Sequence, residues 1–221
     1  MLSCDFKWRG VLRLKPNDTG RDFVCGDIHG CFDDLEYILR KNDFNKKTDR
    51  LFCVGDLIDR GPRSVDALAY YREDWLYTVL GNHEHMFADF FLRFDRQFYH
   101  FDYQNGSDWA RNQPITYLRQ LCEEIKKLPL VIKINSAVIL HAALPDITNL
   151  EEIESYSEEQ LETILWERGK PRSPHVAGID RVYCGHTIVD DVEEINGIVN
   201  LDTGCFLKYY GEPGKLTMLP L

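Results

Sequence analysis

The sequence predicts an α/β fold in which two β-sheets pack against each other and are flanked by helices. In the first half of the chain, short apolar runs alternate with segments of helical periodicity, which is typical of parallel strands joined by helices. In the second half, turn residues such as Asn196-Gly197 separate closely spaced apolar runs, which is typical of β-hairpins. The chain has 221 residues, a length that suits a single domain over residues 1–221.

The first half is predicted to contain an edge strand followed by three strand-and-helix units. A weakly alternating run at 11–14 predicts the edge strand, and the continuous apolar runs after it predict strands covered on both faces. In the second helix, Val65, Leu68 and Ala69 are expected to face the core. The predicted core strands are 22–25, 51–54 and 76–80, and the predicted helices begin near Phe32, Ser64 and His83.

The second half is predicted to contain two helices, one separate strand and three hairpins. Residues 100–114 lack periodicity and are long enough to form a lid, in which Trp109 either walls the cleft or packs the lid. Ser157 and Gln160 form a capping-box pattern that predicts a helix at 158–166. The other predictions are a helix at 115–128, a strand at 181–184, and hairpins at 130–134 with 137–140, 192–195 with 198–201, and 206–210 with 216–219.

The composition is that of an ordinary globular protein and excludes several classes of partner. The net charge of −10 argues against a nucleic-acid-binding surface, which needs clusters of lysine and arginine. No apolar segment reaches the length of a signal peptide or a membrane span, so a cytoplasmic protein without membrane contact is expected. The seven cysteines are odd in number and lack Cys-x-x-Cys spacing, so they are expected to be reduced and mostly buried. No obligate protein partner is evident.

Six polar residues each follow an apolar run. A single residue of this kind is more often a helix cap or a turn residue, but its recurrence favours a common site. The carboxyl ends of parallel strands meet at one edge of a sheet, so these side chains are expected to converge there. Imidazole nitrogens with carboxylate and amide oxygens suit catalytic manganese, iron or zinc, and six such groups suit two metals that share a carboxylate. The six are Asp27, His29, Asp56, Asn82, His141 and His186.

Five ordered motifs, spread from about Phe23 to Phe206, carry a resemblance to a known family. The chain resembles the calcineurin-like metallophosphoesterases, and within them the phosphoprotein phosphatases. Its short length and the segment Trp166-Glu167-Arg168 are similar to the bacterial and bacteriophage-lambda-type serine/threonine phosphatases. The resemblance implies a β-sandwich of two mixed sheets flanked by helices. The motifs are Gly26-Asp27-Ile28-His29-Gly30, Gly55-Asp56-Leu57-Ile58-Asp59-Arg60-Gly61, Gly81-Asn82-His83-Glu84, His141 and Gly185-His186.

The resemblance also implies a role for each site residue. His83 would be the general acid that protonates the leaving alkoxide, and Asp59 would orient it. Arg60 and Arg168 would bind the phosphoryl oxygens, aided by Asn82. The first metal would be held by Asp27, His29 and Asp56, and the second by Asp56, Asn82, His141 and His186, with Asp56 bridging the two.

Two segments depart from the pattern of the wider family. In many eukaryotic members the second phosphate-binding arginine lies several residues beyond the tryptophan, so Arg172 is an alternative to Arg168. The segment 201–204 stands where those members carry an aromatic-containing loop. It is expected to be a strand-ending turn that buttresses the site.

The implied function is a metal-dependent protein serine/threonine phosphatase that acts on phosphorylated proteins or peptides, with phosphotyrosine as a further substrate class. A hydroxide bridging two divalent metals, with manganese favoured over iron or zinc, would attack the phosphate monoester directly. The main alternative is a dinucleoside polyphosphate hydrolase, against which Asp59 and Glu84 both argue. A metal-binding scaffold without catalysis and a nuclease are disfavoured by the intact acid and the acidic surface.

Overall fold

The computed structural model describes residues 6–94, 105–168 and 176–221. Within these ranges the chain forms ten strands and five α-helices, with short 3₁₀ turns at Ser64–Asp66, Asp108–Asn112, Leu150–Ser155 and Cys205–Tyr210. The helices are α1 (Phe32–Lys41), α2 (Ala67–Tyr70), α3 (Asn82–Phe94), α4 (Ile115–Ile125) and α5 (Glu158–Trp166). The strands are β1 (Arg9–Leu14), β2 (Asp22–Cys25), β3 (Arg50–Cys53), β4 (Leu76–Thr78), β5 (Pro129–Ile134), β6 (Ala137–Ile139), β7 (Arg181–Cys184), β8 (Glu193–Ile195), β9 (Ile198–Asn200) and β10 (Met218–Pro220).

The strands form two mixed sheets, as the sequence predicts. One sheet has six strands in the order β1-β5-β6-β7-β9-β8, and the other has four in the order β10-β2-β3-β4. In the four-stranded sheet β2, β3 and β4 are parallel neighbours, so the loops that follow them leave the same edge. In the other sheet β6 and β7 are also parallel neighbours. The six predicted metal ligands follow the carboxyl ends of these five strands.

The core has two layers that account for the continuous apolar runs. Val24 and Phe52 face the inner layer between the sheets, where they meet Ile139 and Val199 of the six-stranded sheet. Their neighbours along the strands face the opposite side, which the helices cover. Because side chains alternate along a strand, a strand buried on both faces needs apolar residues at every position.

Several local predictions are confirmed. The helix at Glu158–Trp166 begins with a reciprocal capping box between Ser157 and Gln160. Asn196 and Gly197 both have positive φ values, +54° and +80°, as a tight turn between β8 and β9 requires. β5 and β6 pair antiparallel around a turn, and β1 lies at the edge of its sheet.

The predicted hairpin at 206–210 with 216–219 is wrong. Cys205–Tyr210 is a 3₁₀ turn that lies between two glycines in the left-handed conformation, Gly204 at φ +65° and Gly211 at φ +81°. The last strand, Met218–Pro220, instead pairs antiparallel with β2. This pairing covers a sheet edge that would otherwise expose unpaired backbone groups, and no local sequence signal competes with that long-range gain.

The inner face predicted for the second helix is correct at Leu68 but wrong at Val65 and Ala69. Val65 is 36% exposed and Ala69 is exposed, whereas Ala67, Leu68 and Tyr70 are buried. The segment begins as a 3₁₀ turn, with three residues per turn, so its side chains do not follow the α-helical period. The Tyr70 ring stacks on Phe32 of α1 with centroids 4.1 Å apart, which fixes the buried face.

Other predictions concern cysteines, membranes and the lid. Six cysteines, at positions 25, 31, 53, 122, 184 and 205, are buried and form no disulfide within the described part of the chain, as predicted. None of the described helices combines the length and apolar character needed to cross a membrane. The predicted lid lies partly outside the described residues, and Arg172 lies wholly outside them. The described part of the lid contains the 3₁₀ turn Asp108–Asn112.

Candidate active site

The loops that follow β2 and β3 are hydrogen-bonded to each other along their backbones. The amides of Ile28 and His29 donate to the Asp56 carbonyl at 3.1 and 2.7 Å, and the Gly30 amide donates to the Leu57 carbonyl at 2.8 Å. His29 and Asp56 have positive φ values of +44° and +51°. Such backbone conformations are unfavourable for residues with a side chain and persist where the surroundings fix them. The two loops therefore hold these side chains in defined positions.

Glycines let the polar side chains approach neighbouring backbone. A Cβ atom at Gly81 would lie 2.2 Å from Asp56 Oδ1, and one at Gly185 would lie 1.9 Å from Asp27 Oδ1. No side chain fits at either position without displacing a carboxylate. The motif glycines are thus explained by close packing.

Asp56 lies at the centre of the polar cluster. Its Oδ2 atom lies 3.4 Å from His29 Nε2, 3.6 Å from His141 Nε2 and 3.9 Å from His83 Nε2. Candidate ligand atoms of Asp27, Asp56 and His141 lie within 4.8 Å of one another, and so do those of His29, Asp56 and His83. Asp56 belongs to both groups, as a bridging carboxylate would. The groups differ from the predicted ligand sets, because Asp27 groups with His141, and His29 groups with the predicted acid His83.

The Asn82 side chain contacts both His141 and His186, which follow strands β6 and β7 of the six-stranded sheet. Its Oδ1 atom lies 2.8 Å from His141 Nε2 and 3.1 Å from His186 Nδ1. The His186 amide lies 3.2 and 3.3 Å from the two carboxylate oxygens of Asp27. The structure thus brings together all six residues that the sequence predicted as ligands, although their binding of metal stays a prediction.

Backbone carbonyls orient the histidine rings. His29 Nδ1 lies 2.9 Å from the Ile58 carbonyl and His141 Nδ1 lies 2.7 Å from the Val54 carbonyl. A carbonyl can only accept, so in each neutral ring Nδ1 carries the hydrogen and Nε2 carries a lone pair. The lone pair of His29 Nε2 faces the Arg60 guanidinium, whereas that of His141 Nε2 faces the Asn82 side-chain oxygen, which is itself an acceptor. A ring held in this way is the usual arrangement of a metal-binding histidine.

Burial favours the uncharged form of these imidazoles. It lowers the pKa of His29 well below its ordinary value and lowers that of His141. Burial likewise lowers the pKa of His186 to about 3. Neutral imidazole is the form that binds a metal ion.

The buried carboxylates repel one another. Burial raises the pKa of Asp27 well above its ordinary value, and the negative charges of Asp202 and Asp56 raise it further. Burial also raises the pKa of Asp202 to about 6. For Asp56, burial favours a higher pKa, but the neighbouring imidazoles of His141, His83 and His29 lower it overall. Nearby cations would relieve this concentration of negative charge.

His83 has one ring nitrogen engaged and one free. Its Nδ1 atom lies 2.7 Å from Asp59 Oδ2, and its buried Nε2 atom has no hydrogen-bond partner among the described residues. Burial alone would lower the pKa of His83, but the Asp56 charge and the Asp59 hydrogen bond together raise it. The free nitrogen faces Asp56, where a substrate oxygen could receive its proton.

The two predicted phosphate-binding arginines lie beside the cluster. Arg60 Nη1 donates to His29 Nε2 at 3.3 Å, and its guanidinium lies 4.6 Å from the centre of the Phe206 ring. Arg168 is exposed and donates through Nη1 to the His186 carbonyl at 3.2 Å. Both groups lie close enough to contribute positive charge to the site.

Two contributions could not be recognised from the sequence. Buried Glu84 accepts hydrogen bonds from the amides of Asp56 and Leu57, both at 2.8 Å, and from the Tyr71 hydroxyl at 2.8 Å. Trp109 donates from its indole nitrogen to Asp59 at 2.7 Å. Both residues stand in or near recognised motifs, but these bonds depend on tertiary contacts.

The donor set fits two divalent metal ions. It combines buried imidazole nitrogens, an amide oxygen and two carboxylates, one of which, Asp56, belongs to both groups. Beside Asp56 lies the His83 Nε2 atom, which has no hydrogen-bond partner among the described residues. Together with the two packed mixed sheets, this arrangement defines a metal-dependent phosphoesterase. The family model of the calcineurin-like phosphoesterases matches residues 23–198, and the chain belongs to that family.

The chain is similar to relatives whose names describe two different activities. Serine/threonine-protein phosphatase 1 of Salmonella typhimurium is 31% identical over 218 residues, covering 93% of this chain and 94% of the relative. The symmetrical bis(5'-nucleosyl)-tetraphosphatase of Shewanella baltica is 29% identical over 187 residues, covering 73% of this chain and 64% of the relative. A crystal structure of a proposed diadenosine tetraphosphatase has a TM-score of 0.72 at 26% identity, covering 97% of this chain and 94% of the other. The chain is therefore a hydrolase of the phosphoesterase family, and its named relatives act on more than one class of phosphate ester.

Proposed function

We propose that this metallophosphoesterase is a protein phosphatase that hydrolyses phosphoserine and phosphothreonine monoesters. The observation that carries the proposal is the buried pair of His83 and Asp59, with His83 Nε2 lacking a hydrogen-bond partner among the described residues and lying beside Asp56. An alkoxide is a poor leaving group, so cleavage of an alkyl phosphate gains from a positioned general acid. The Salmonella typhimurium relative supports the same substrate class.

The six clustered residues would hold two metal ions. Two bound divalent cations supply an activated water at neutral pH and neutralise charge on the phosphoryl group. Manganese is our favoured identity, with iron or zinc as alternatives, because the donors are nitrogen and oxygen without thiolate. One set would be Asp27, His29 and Asp56, and the other would be Asp56, Asn82, His141 and His186.

The arginines would bind and orient the phosphoryl group. A guanidinium can donate two parallel hydrogen bonds to phosphate oxygens, which gives both affinity and direction. Arg60 and Arg168 lie on different loops beside the cluster, and Asn82 would add an amide donor. Their positive charge would also stabilise the charge that spreads over the equatorial oxygens in the transition state.

His83 would then complete the reaction by proton transfer. Its Nδ1 hydrogen is held by Asp59, so the proton to be donated is the one on Nε2. Transfer of that proton to the leaving serine or threonine oxygen would avoid release of an alkoxide. Phosphotyrosine, whose leaving group is a more stable anion, would depend less on this step.

Dinucleoside polyphosphate hydrolysis is the second candidate. The Shewanella baltica relative and the crystal structure at TM-score 0.72 favour it. Its leaving group is a nucleotide phosphate, which is a stable anion and gains little from a buried acid. The Asp59–His83 pair therefore supports the phosphoprotein substrate more strongly.

The two functions are separated by a direct comparison of substrates. The protein loaded with manganese should hydrolyse a phosphoserine peptide with a higher kcat/KM than diadenosine tetraphosphate. Phosphotyrosine peptide belongs in the same panel because it tests the leaving-group argument. Much faster turnover of diadenosine tetraphosphate would overturn the proposal in favour of the second candidate.

A further inference from the structure

Asp59 and Arg60 form a strained pair of adjacent residues. Both have positive φ values, +71° and +66°, although neither is glycine. Left-handed backbone is unfavourable for residues with a side chain, and two in succession require external support. The proposed function uses both side chains, one to orient the acid and one to bind phosphate. What holds this pair therefore matters for both halves of the reaction.

The support comes from residues 106–109, which we call the positioning segment. The Arg60 amide donates to the Gly106 carbonyl at 3.1 Å. Gly106 itself has φ +78°, and a Cβ atom there would lie 2.7 Å from the Arg60 nitrogen and 2.8 Å from its Cα. Gly106 thus lies directly against the Arg60 backbone, at a distance that only glycine permits.

Trp109, at the other end of the segment, holds Asp59 through its side chain. The indole nitrogen donates to Asp59 Oδ1 at 2.7 Å, while Asp59 Oδ2 lies 2.7 Å from His83 Nδ1. Each carboxylate oxygen therefore has its own partner, and the carboxylate cannot rotate without losing one of them. The Trp109 ring also stacks on Phe87 with centroids 6.1 Å apart and planes at 11°. Phe87 and His83 both belong to α3, so the ring is fixed relative to the acid.

We propose that the positioning segment sets the geometry of both reactive side chains, with Trp109 holding Asp59 for proton transfer and Gly106 holding Arg60 for phosphate binding. The inference rests on the proposed function for its kinetic consequences. Trp109 and Gly106 are positioning residues, since each acts through the residue it contacts. The two contacts are separate, so their loss should have different kinetic signatures.

Trp109→Phe tests the contact with Asp59. Phenylalanine keeps a ring against Phe87 but cannot donate a hydrogen bond. We expect the ratio of kcat on phosphoserine peptide to kcat on p-nitrophenyl phosphate to fall about 10-fold, part of the roughly 10²–10⁴-fold that a general acid contributes. Nitrophenolate leaves without protonation, so its release does not need the oriented acid.

Trp75→Phe is the matched control. The Trp75 indole donates to Glu73 at 2.7 Å, the same kind of bond, next to the start of β4 and away from its carboxyl end. This variant should leave the ratio of the two substrates unchanged. An equal loss on both substrates in Trp109→Phe, or a change of ratio in Trp75→Phe, would overturn the role assigned to Trp109.

Gly106→Ala tests the contact with Arg60. The new methyl group must displace the Arg60 backbone, so the inhibition constant of inorganic phosphate and the KM should rise about 10-fold, the effect of losing roughly one hydrogen bond to a charged group. Gly178→Ala is the control, because Gly178 has a similar φ of +75° but a Cβ atom there would meet no atom of the described residues within 4 Å. Equal phosphate affinity in the two variants would overturn the role of Gly106.

A readout independent of turnover completes the test. The chain has four tryptophans, and the indole resonance lost in Trp109→Phe identifies Trp109 in ¹H–¹⁵N spectra recorded with diamagnetic magnesium. In Asp59→Ala this resonance should move upfield, because its hydrogen bond to the carboxylate is gone. No movement would overturn the proposal. If the wild-type protein hydrolysed no phosphopeptide, the proposed function would fail, while the resonance would still decide whether Trp109 holds Asp59.

Discussion

Asp56 is the residue on which the site depends most. Its side chain lies among three histidines, and its backbone carbonyl accepts two amides from the loop after β2. Its own amide donates to Glu84 at 2.8 Å. Asp56 thus joins the loops after β2 and β3 to the start of α3, where Glu84 lies. These contacts explain why its left-handed backbone is maintained.

His83→Asn separates metal binding from proton transfer. Asparagine can keep a polar contact with Asp59 but cannot act as a general acid at neutral pH. We expect kcat on a phosphoserine peptide to fall by roughly 10²–10⁴-fold with no change in metal content. Steady-state kinetics and elemental analysis of the same samples check this. Full activity in the variant, or loss of metal together with activity, would contradict the assigned role.

Glu84→Gln should destabilise the fold. The carboxylate accepts amide hydrogens from the loop after β3 and the Tyr71 hydroxyl, and an amide group would face some of these donors with a donor of its own. Two unpaired buried donors at about 1–3 kcal/mol each predict a loss of about 3 kcal/mol in the free energy of unfolding, measured by urea denaturation. Exposed Glu162→Gln on α5 is the control and should change stability little. Equal stability of the two variants would contradict the structural role of Glu84.

At the residue scale, the sequence identified which side chains converge but not what supports them. Asp27, Asp56 and Asn82 could be placed together because each ends a strand at regular spacing. Glu84 bonds to amides 26 to 28 positions away along the chain, and Trp109 bonds to a carboxylate 50 positions away. Neither contact has a local sequence signal, so only the folded structure shows them.

At the scale of elements, the site depends on the carboxyl ends of five strands, three from one sheet and two from the other. The loops after β2, β3 and β4 leave one edge, and those after β6 and β7 bring in His141 and His186. The Leu140 amide, just after β6, donates to the Tyr183 carbonyl of β7 at 3.1 Å. Such extended backbone bonding fixes the separation of the side chains that follow.

Gly185→Ala should disrupt the junction between the sheets. Its Cβ atom would lie 1.9 Å from Asp27 Oδ1, so the Asp27 carboxylate must move away from the cluster. We expect the manganese content per chain to fall to half or less, measured by elemental analysis after gel filtration. Gly211→Ala, where the described residues leave space for a methyl group, should keep the wild-type content. Normal metal content in Gly185→Ala would contradict the placement of Asp27.

Elements with strong local signals were predicted well, and those set by distant partners were not. The capping box before α5 and the Asn196-Gly197 turn both carry their own chemistry. For the final strand the sequence predicts a hairpin, because the only local signal is the glycine-rich turn that precedes it. Its true partner, β2, lies nearly 200 residues away along the chain.

For the whole molecule, the net charge is negative, and the site would become positive only with cations bound. The chain carries a net charge of −10, which disfavours long-range attraction of nucleic acid. We therefore expect recognition of phosphate to depend on groups at the site itself, namely the two arginines and any cations that the cluster binds. The absence of a nucleic-acid partner stays a prediction.

Metal loading should stabilise the whole fold. The buried carboxylates repel one another, and cations that bind only the folded chain add about 2.7 kcal/mol per site at a concentration 100 times the Kd. Addition of manganese to metal-free protein should therefore raise the Tm, measured by calorimetry. His141→Ala should show a smaller rise. An unchanged Tm in the wild type, or an equal rise in both proteins, would contradict binding at this cluster.

The most direct test of the account is a crystal structure of the protein grown with manganese, with the ions located by anomalous scattering. We expect two peaks, with Asp56 in contact with both, His29 at one, and His141 and His186 at the other. A single peak, or His141 and His186 turned away from Asp27 and Asp56, would contradict the central claim that the ends of two sheets together form a dinuclear site.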